Sequence, residues 1–321
     1  MSDPAAASHG ARGAAGQVPK RPLGRTALEV SILALGGDHL GAVSDPGEAA
    51  EIVARALDAG VNLFDNAWEY HDGESERRLG AALKGKRDQA VVMTKVCTHG
   101  RDRDTAMKQL EESLRRLGTD HVDLWQIHEV IYDDDPDLIF APRGAAEALL
   151  AAKQQGKVRY VGFTGHKDPD IHLRILAHDF PFDTVQMPLN CFDATFRSFE
   201  TRVLPEAHRR GLGVLGMKSL GGGGEMVVHG GITAEEGLCY AMSLPVAATI
   251  SGVDSLRVLE QNLAVARDFR PLSASQAMAL RERCRVDAAD GRLELFKTSV
   301  KYDGVVGRSQ HGYPDAAALP A

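Results

Sequence analysis

The sequence predicts an α/β protein built as one closed (β/α)8 barrel, the TIM barrel, with a short N-terminal hairpin and a C-terminal helical extension. Three observations predict it. Short apolar runs rich in Val, Ile and Leu recur along the chain, bounded by Gly, Asp or Asn, as buried parallel strands are. An amphipathic stretch with apolar residues at helical spacing follows each of them. Eight such units fit into roughly 250 residues, the size of a closed barrel.

Taken in order, residues 1–19 hold Ala, Gly, Ser and a few charges but no apolar core of a signal peptide, so a disordered tail is expected there. Residues 20–321 are expected to form the one barrel domain. KRPLGRTALEV (20–30) has the look of a hairpin. The strands are expected at 31–37, 61–67, 90–96, 122–130, 158–166, 183–190, 211–221 and 246–253. The helices are expected at 47–60, 74–85, 104–118, 144–157, 169–179, 199–211, 233–244 and 255–268. The first of these begins at Ser44-Asp45-Pro46 and stops at Gly60, a start signal and a stop signal. Strand followed by helix, repeated, implies parallel pairing. One more helix is expected at 273–289, then an irregular tail that either covers one barrel mouth or extends into solvent.

A doubly wound sheet competes with the barrel. It would place G-x-G-x-x-G after its first strand. Here that strand ends in Gly36-Gly37-Asp38-His39-Leu40-Gly41, which lacks the spacing. Any dinucleotide must be gripped in another way.

Hydrophobic residues make up 44% and charged residues 25%, ordinary for a globular chain. The formal charge of -7 argues against nucleic acid as a partner. No apolar run is long enough to cross a membrane. The four cysteines, at 97, 191, 239 and 284, show no C-x-x-C pair and no zinc spacing. They suit reduced thiols and a cytoplasmic location. Cys97, two residues after Lys95, is expected to point away from whatever Lys95 faces.

In a (β/α)8 barrel the active site collects at the C-terminal ends of the strands. Read in order, those ends offer Asp65 with Tyr70 just beyond, then Lys95, then His128. A free tyrosine, with a pKa near about 10, is a poor acid at neutral pH. A neighbouring Lys95 ammonium is expected to lower that value. Asp65 can hold Lys95, and His128 can donate to a carbonyl oxygen on which negative charge develops. Each residue alone has a plainer role: a helix cap, a snorkelling lysine, a packed tyrosine. Together and in this order they form a proton-donor set.

At this point the chain resembles the aldo-keto reductases, over residues of about 20 to about 270, most of one barrel. NLFDNAWEYHDGESERRLGAAL (62–83) is similar to the family segment with the catalytic Asp and Tyr. VVMTKV (91–96), DLWQIHEV (123–130) and GKVRYVGFTGH (156–166) resemble its lysine, histidine and fifth strands. GMKSLGGG (216–223) and ISGVDSLRVLEQN (250–262) resemble its cofactor segments. The resemblance implies an NAD(P)H-dependent oxidoreductase that reduces an aldehyde or ketone, or oxidises the alcohol. Tyr70 would be the general acid, Lys95 its modulator, Asp65 the partner of Lys95 and His128 the carbonyl-orienting group. The cofactor implied is NADP(H), with NAD(H) as the alternative.

By the same resemblance Thr164 and Gln186, and near them Asn190, meet the nicotinamide carboxamide. Met217, Lys218, Ser219, Leu220 and Gly221 wrap the diphosphate. Gly252, Ser255, Gln261 and Asn262 meet the adenosine end. Gly36 and Gly37, closing the first strand, are counted with the cofactor-binding residues. Two departures stand out. Thr164-Gly165-His166 replaces the Ser-Asn of many relatives, so His166 or another group must complete the carboxamide contacts. Asp254 stands where many relatives carry a base for the 2′-phosphate, and an Asp can accept from a ribose 2′-OH instead. Lys218 and Arg257 offer compensating charge.

Two other functions stay open at this point. A barrel metal hydrolase would want His-x-His at the first strand end. His39 is alone there, and Lys95 at the centre disfavours a cation, so no metal is expected. A non-catalytic barrel that binds the cofactor as a sensor is the other. Substrate choice is left to the loops and tail, with Trp68, His71, His99, Trp125, Phe192 and Tyr302 as expected pocket residues.

Overall fold

The hairpin closes the bottom of the molecule. A computed structural model of the protein describes residues 16–97, 101–310 and 312–318, so most of the expected disordered tail, and His99, lie outside the described residues. Strands β1 (Lys20–Pro22) and β2 (Glu29–Ser31) pair antiparallel. Leu23, Leu28 and Val30 between and on them are buried with Leu63, Val91, Met93, Leu124 and Leu215 of the barrel interior. The Arg21 guanidinium, itself buried, donates to the carbonyls of Met242 and Val246 at 3.0 Å each. The hairpin is thereby tied to the segment that leads into the last barrel strand.

Eight parallel strands form the closed barrel. They are β3 (Leu33–Gly36), β4 (Leu63–Asp65), β5 (Val91–Val96), β6 (Val122–Ile127), β7 (Val158–Thr164), β8 (Thr184–Pro188), β9 (Gly213–Met217) and β10 (Ala248–Gly252), with β10 closing onto β3. All six residues of β5 and of β6 are buried, as strands covered on both faces must be. Register places Gly36 beside both Asp65 and Gly252, Lys95 beside Gln126, and Thr164 beside Gln186. The chemistry-bearing strand ends therefore open on one mouth.

The strands are shorter than the apolar runs that predict them, and the backbone says why. The run at 122–130 stops pairing at Ile127 because Glu129 takes φ 50°, and the run at 211–221 stops at Met217 because Lys218 takes φ 57°. Left-handed residues cannot continue a ladder. Gly162, in β7, has no room for a side chain: a Cβ would come 2.1 Å from Thr184 Oγ1 and 2.7 Å from the Thr184 carbonyl. Gly162→Ala is expected to destabilise the protein by about 1–3 kcal/mol through overpacking, read as a lower midpoint in urea.

The outer helices fall where expected. After α1 (Gly37–Ala42) come α2 (Pro46–Asp58), α3 (Glu74–Ala82), α4 (Arg103–Leu117), α5 (Asp135–Phe140), α6 (Ala145–Gln154), α7 (Pro169–Ala177) and α8 (Phe199–Arg209). Then follow α9 (Glu225–Val228), α10 (Ala234–Ser243), α11 (Leu256–Arg267), α12 (Ala274–Cys284), α13 (Leu295–Thr298) and α14 (Val305–Gln310). Local chemistry starts the long ones. Asp45 accepts from Gly47 N with Pro46 at the first position, Asp102 accepts from Asp104 N and Thr105 N, and Thr233 with Glu236 forms a capping box. The sequence pattern does not announce α1, α5, α9, α13 or α14, since six residues or fewer carry no helical period. The main core lies between barrel and helices, and there Trp125 packs instead of lining a pocket. Among the described residues no helix is long and apolar enough to cross a membrane.

The irregular tail has structure. Phe192 packs with Cys191, Tyr240, Leu280 and Cys284 in a separate cluster beneath it. Lys297 is wholly buried and binds Asp193 Oδ1 at 2.6 Å, Glu294 Oε1 at 3.0 Å and the Phe196 carbonyl at 2.8 Å. This anchor carries Tyr302, Gly304, Val305 and Val306 to the cavity at the barrel mouth.

Candidate active site

A cavity of about 1050 Å³ occupies the C-terminal mouth of the barrel. At its floor the Lys95 side chain is wholly buried and ion-paired with Asp65 Oδ1 at 2.6 Å. Its Nζ also donates to the Asn66 carbonyl at 2.9 Å and to Tyr70 Oη at 3.1 Å. An ammonium has donors and no acceptor. Tyr70 Oη is therefore the acceptor, and its own proton is left for another partner. His128, first residue beyond β6, stands edge-on to Tyr70 with ring centroids 5.6 Å apart. The four expected residues are together.

Their electrostatics depart from expectation. The Tyr70 hydroxyl is not made more acidic. Burial first, then Asp65, Asp38, Glu69 and Glu129, push it well above the ordinary tyrosine value. Asp65 at 2.6 Å offsets the Lys95 charge, and the carboxylates outnumber it. Tyr70 is held as a protonated donor across ordinary pH. Burial, Lys95, His166 and Lys218 drive His128 well below its usual value, against Glu129, so the ring is neutral. Burial also raises Asp65, with Lys95 opposing.

Strain gathers at this mouth. Tyr70 opens a tight turn, Tyr70–Gly73, in which His71 (φ 51°), Asp72 (φ 54°) and Gly73 (φ 81°) are successively left-handed. Arg101 (φ 52°), Glu129 (φ 50°) and Lys218 (φ 57°) are left-handed too. Such conformations cost energy and persist where the surroundings enforce them, as at working sites.

Sequence reasoning misses several residues here. Arg101 is fully buried, ion-paired with Asp135 at 2.9 Å, and donates to the His128 and Glu129 carbonyls at 3.0 and 2.8 Å. It fixes the loop that presents His128. Nothing in the sequence marks it, because its partners are long-range. Glu69 and Glu129, by contrast, adjoin Tyr70 and His128 in the chain, and that adjacency was the available signal. Cys97 does not point away. It joins Glu69 and Glu129, with ligand atoms of the three within 4.8 Å of one another. Residues two apart along a strand share a face. Burial and the two glutamates push the Cys97 thiol well above its usual range, and it donates to Glu69. Gly304 N–H donates to both oxygens of Glu129 at 3.0 and 2.9 Å. The cluster is thus engaged with protein donors, and a protonated thiol is a poor cation ligand.

The cavity runs from this floor along the strand ends. Gly36, Thr164, Gln186, Met217, Lys218, Ser219, Leu220, Gly252, Gln261 and Asn262 line it. Gly37, Gly221 and Ser255 stand just outside the lining. A Cβ on Gly37 would strike the Asp65 carbonyl at 2.5 Å, and Ser255 caps α11 by accepting from Val258 N at 3.4 Å. In the glycine run it is Gly222, Gly223 and Gly224 that reach the cavity. Asp254 and Arg257 both line its far end, exposed. Asn190 is buried away from the cavity, tied to the Lys218 carbonyl and Glu294 at 3.2 Å each. His166 binds the Phe296 carbonyl through Nδ1 at 2.9 Å, with Nε2 3.7 Å from Glu129. Trp68, His71 and Tyr302 line the pocket as expected.

The residues fit a dinucleotide. Gln186 is buried and its Oε1 has no hydrogen-bond partner among the described residues, while Nε2 contacts Met217 Sδ at 3.5 Å beside the Thr164 hydroxyl. An unpaired buried acceptor is costly, and a carboxamide NH2 is the kind of donor that would satisfy it. A Cβ on Gly252 would meet His39 Nδ1 at 2.3 Å, so only a glycine lets the His39 ring lie against the backbone there.

Comparison with known proteins agrees with this layout. A sequence model described as the aldo/keto reductase family matches residues 32–225. The aldo-keto reductase YhdN of Bacillus subtilis is 32% identical over 197 residues, 57% of this chain and 56% of that one. L-galactose dehydrogenase of Arabidopsis thaliana is 31% identical over 215 residues, 64% of this chain and 66% of that one. The chain thus matches less than two thirds of either relative's length. Among solved structures, the holo form of aldo-keto reductase AKR11C1 from Bacillus halodurans superposes with a TM-score of 0.70 at 25% identity, covering 86% of this chain and 98% of that one.

Proposed function

The chain belongs to the aldo/keto reductase family, and from that premise we propose that it reduces an aldehyde or ketone with NADPH, or oxidises the alcohol, with Tyr70 as the proton donor and residues 20–321 acting as one unit. One observation carries the proposal: buried Lys95 pairs with Asp65 at 2.6 Å and donates to the Asn66 carbonyl at 2.9 Å and to Tyr70 Oη at 3.1 Å. That arrangement leaves the Tyr70 proton free to face the cavity, which neutral His128 also lines. Asp65 holds Lys95 in place. His128 orients the carbonyl oxygen, and Tyr70 gives its proton to that oxygen as charge builds there. Lys95 then faces a developing phenolate, a better partner than the phenol. The bound nicotinamide supplies the hydride.

Thr164 and Gln186 would hold the carboxamide end of the cofactor. Met217 to Leu220, followed by Gly222 to Gly224, would hold the diphosphate, and Gly252, Gln261 and Asn262 the adenosine end. Lys218 and Arg257 favour a 2′-phosphate, while Asp254 opposes it. NADPH is expected to give the lower Michaelis constant of the two nicotinamides. A large preference for NADH would overturn that assignment and make Asp254 the ribose ligand.

The test of the function is loss of nicotinamide absorbance with a panel of aldehydes, ketones and sugars. Turnover of at least one carbonyl is the expected result. Tight cofactor binding with no turnover of any would favour a non-catalytic sensor instead.

A further inference from the structure

Glu69 has no part in the chemistry just described, yet it stands against one of its central groups. Its Oε1 lies 2.5 Å from His128 Nδ1, with the two side chains 16% and 11% exposed. Neither atom makes an aligned hydrogen bond, with the other or with any other described group. Two bare acceptors cannot face each other at that distance, so a proton belongs between them.

Where that proton comes from decides what His128 can do. A neutral imidazole carries one N–H. If it sits on Nδ1, against an ionised Glu69, then Nε2 is a lone pair and cannot donate to a carbonyl oxygen. If the pair holds one proton more, it is either Glu69-COOH against Nδ1 or a carboxylate against an imidazolium. In both forms Nε2 keeps its N–H. We propose that Glu69 is a positioning residue that holds this additional proton against His128 Nδ1 and so keeps an N–H on Nε2, the nitrogen left to face a substrate carbonyl. The proposal rests on the reading of His128 as the carbonyl-orienting group.

The surroundings favour the neutral form of the two. Burial raises Glu69, Asp38 adds to it, and Cys97, Lys95 and Arg101 oppose it. Around His128, Lys95, His166 and Lys218 resist a second ring proton and Glu129 invites it. The Glu129 carboxylate is already engaged by Gly304 N–H of the tail at 3.0 and 2.9 Å. Gly304 also caps this corner physically: a Cβ there would meet Glu129 Oε2 at 2.3 Å and Glu69 Oε2 at 3.0 Å.

The pH sign follows. Glu69 is protonated below its raised value, and rising pH removes the proton and converts His128 to the Nδ1–H form. Carbonyl reduction then falls with rising pH. Tyr70 cannot produce that fall, since it is held well above the ordinary tyrosine range. In Glu69→Gln the Cys97 thiol still donates to the amide oxygen, so the amide NH2 is turned to Nδ1 and Nε2–H is locked in.

The deciding measurement is the imidazole nitrogen spectrum of the whole protein by 15N NMR, with His128 identified by the signals lost in His128→Gln. The expected result is an Nε2–H ring in the wild type at neutral pH and below, kept at every pH in Glu69→Gln and eroded in Glu69→Ala. Beside it, Glu69→Ala is expected to lower kcat by about tenfold to a hundredfold with cofactor affinity unchanged, and Glu69→Gln to flatten the pH profile. An Nδ1–H ring in the wild type from about pH 5 to about pH 9, or the same ring form in wild type and Glu69→Ala, would overturn the proposal. Absence of any carbonyl turnover would strike the proposed function alone, because the ring-nitrogen readout needs no turnover.

Discussion

Tyr70→Phe lowers kcat for carbonyl reduction by about 10²–10⁴-fold and leaves cofactor affinity unchanged. The loss falls on kcat because the missing hydroxyl acts only as charge builds on the carbonyl oxygen. The fold tolerates the change well. Among the described residues Tyr70 Oη has one hydrogen-bond partner, Lys95 Nζ at 3.1 Å, and that ammonium keeps Asp65 at 2.6 Å and the Asn66 carbonyl at 2.9 Å. The check is a steady-state comparison at saturating cofactor, alongside fluorescence titration of the cofactor. Activity that survives the substitution would remove Tyr70 as the proton donor and leave the family assignment untouched.

Lys297→Met is expected to destabilise the protein by about 3–5 kcal/mol and to lower the melting temperature by roughly 10 °C. Lys297 is the buried cation between Asp193 and Glu294, whose side chains are no more than 1% exposed. Removing it strands two carboxyls. Burial and Asp193 already push Glu294 up to about 7, with Lys297 and Asn190 resisting, and burial raises Asp193 as well. Carboxyls raised in the folded state contribute most below their unfolded values and lose that contribution as pH rises through the folded ones. The gap in melting temperature between variant and wild type therefore widens from acid to alkaline pH. Thermal melts across that range check it, and a gap independent of pH would mean that the anchor acts through packing alone. Activity should fall with the same change, because the anchor delivers Tyr302 and Gly304 to the cavity.

The legible part of this molecule was the part written in local pattern. Val91–Val96 and Val122–Ile127 announce buried strands by continuous apolar content. Asp45-Pro46 announces a helix start, and it is one. Asp65, Lys95 and His128 are legible because a charge after an apolar strand is costly unless it works, and because a barrel gathers its strand ends at one mouth. The resemblance of the surrounding segments then supplied the roles.

The illegible part was written between distant segments. Arg101 reaches the His128 and Glu129 carbonyls across a loop, and Lys297 reaches Asp193 across about a hundred residues. No local period encodes either. The tail could not be told from a solvated extension, since α13 and α14 are too short to show a helical pattern. Cys97 faces Glu69 and Glu129, as strand geometry alone, with residues two apart on one face, allows. The acidity of Tyr70 is illegible for a different reason. Lys95 stands in the strand-end pattern and Glu69 adjoins Tyr70 in the chain, but burial, Asp38 and Glu129 reach the hydroxyl only through folding.

By itself, then, the sequence determined the barrel, its strand order and the identity of the groups at its mouth, because hydrophobic period and strand-end polarity are local properties. Only the tertiary structure decided how those groups are charged. Burial and the sum of neighbouring carboxylates set the protonation of Tyr70, Glu69 and His128, and both depend on which parts of the chain arrive at the same place.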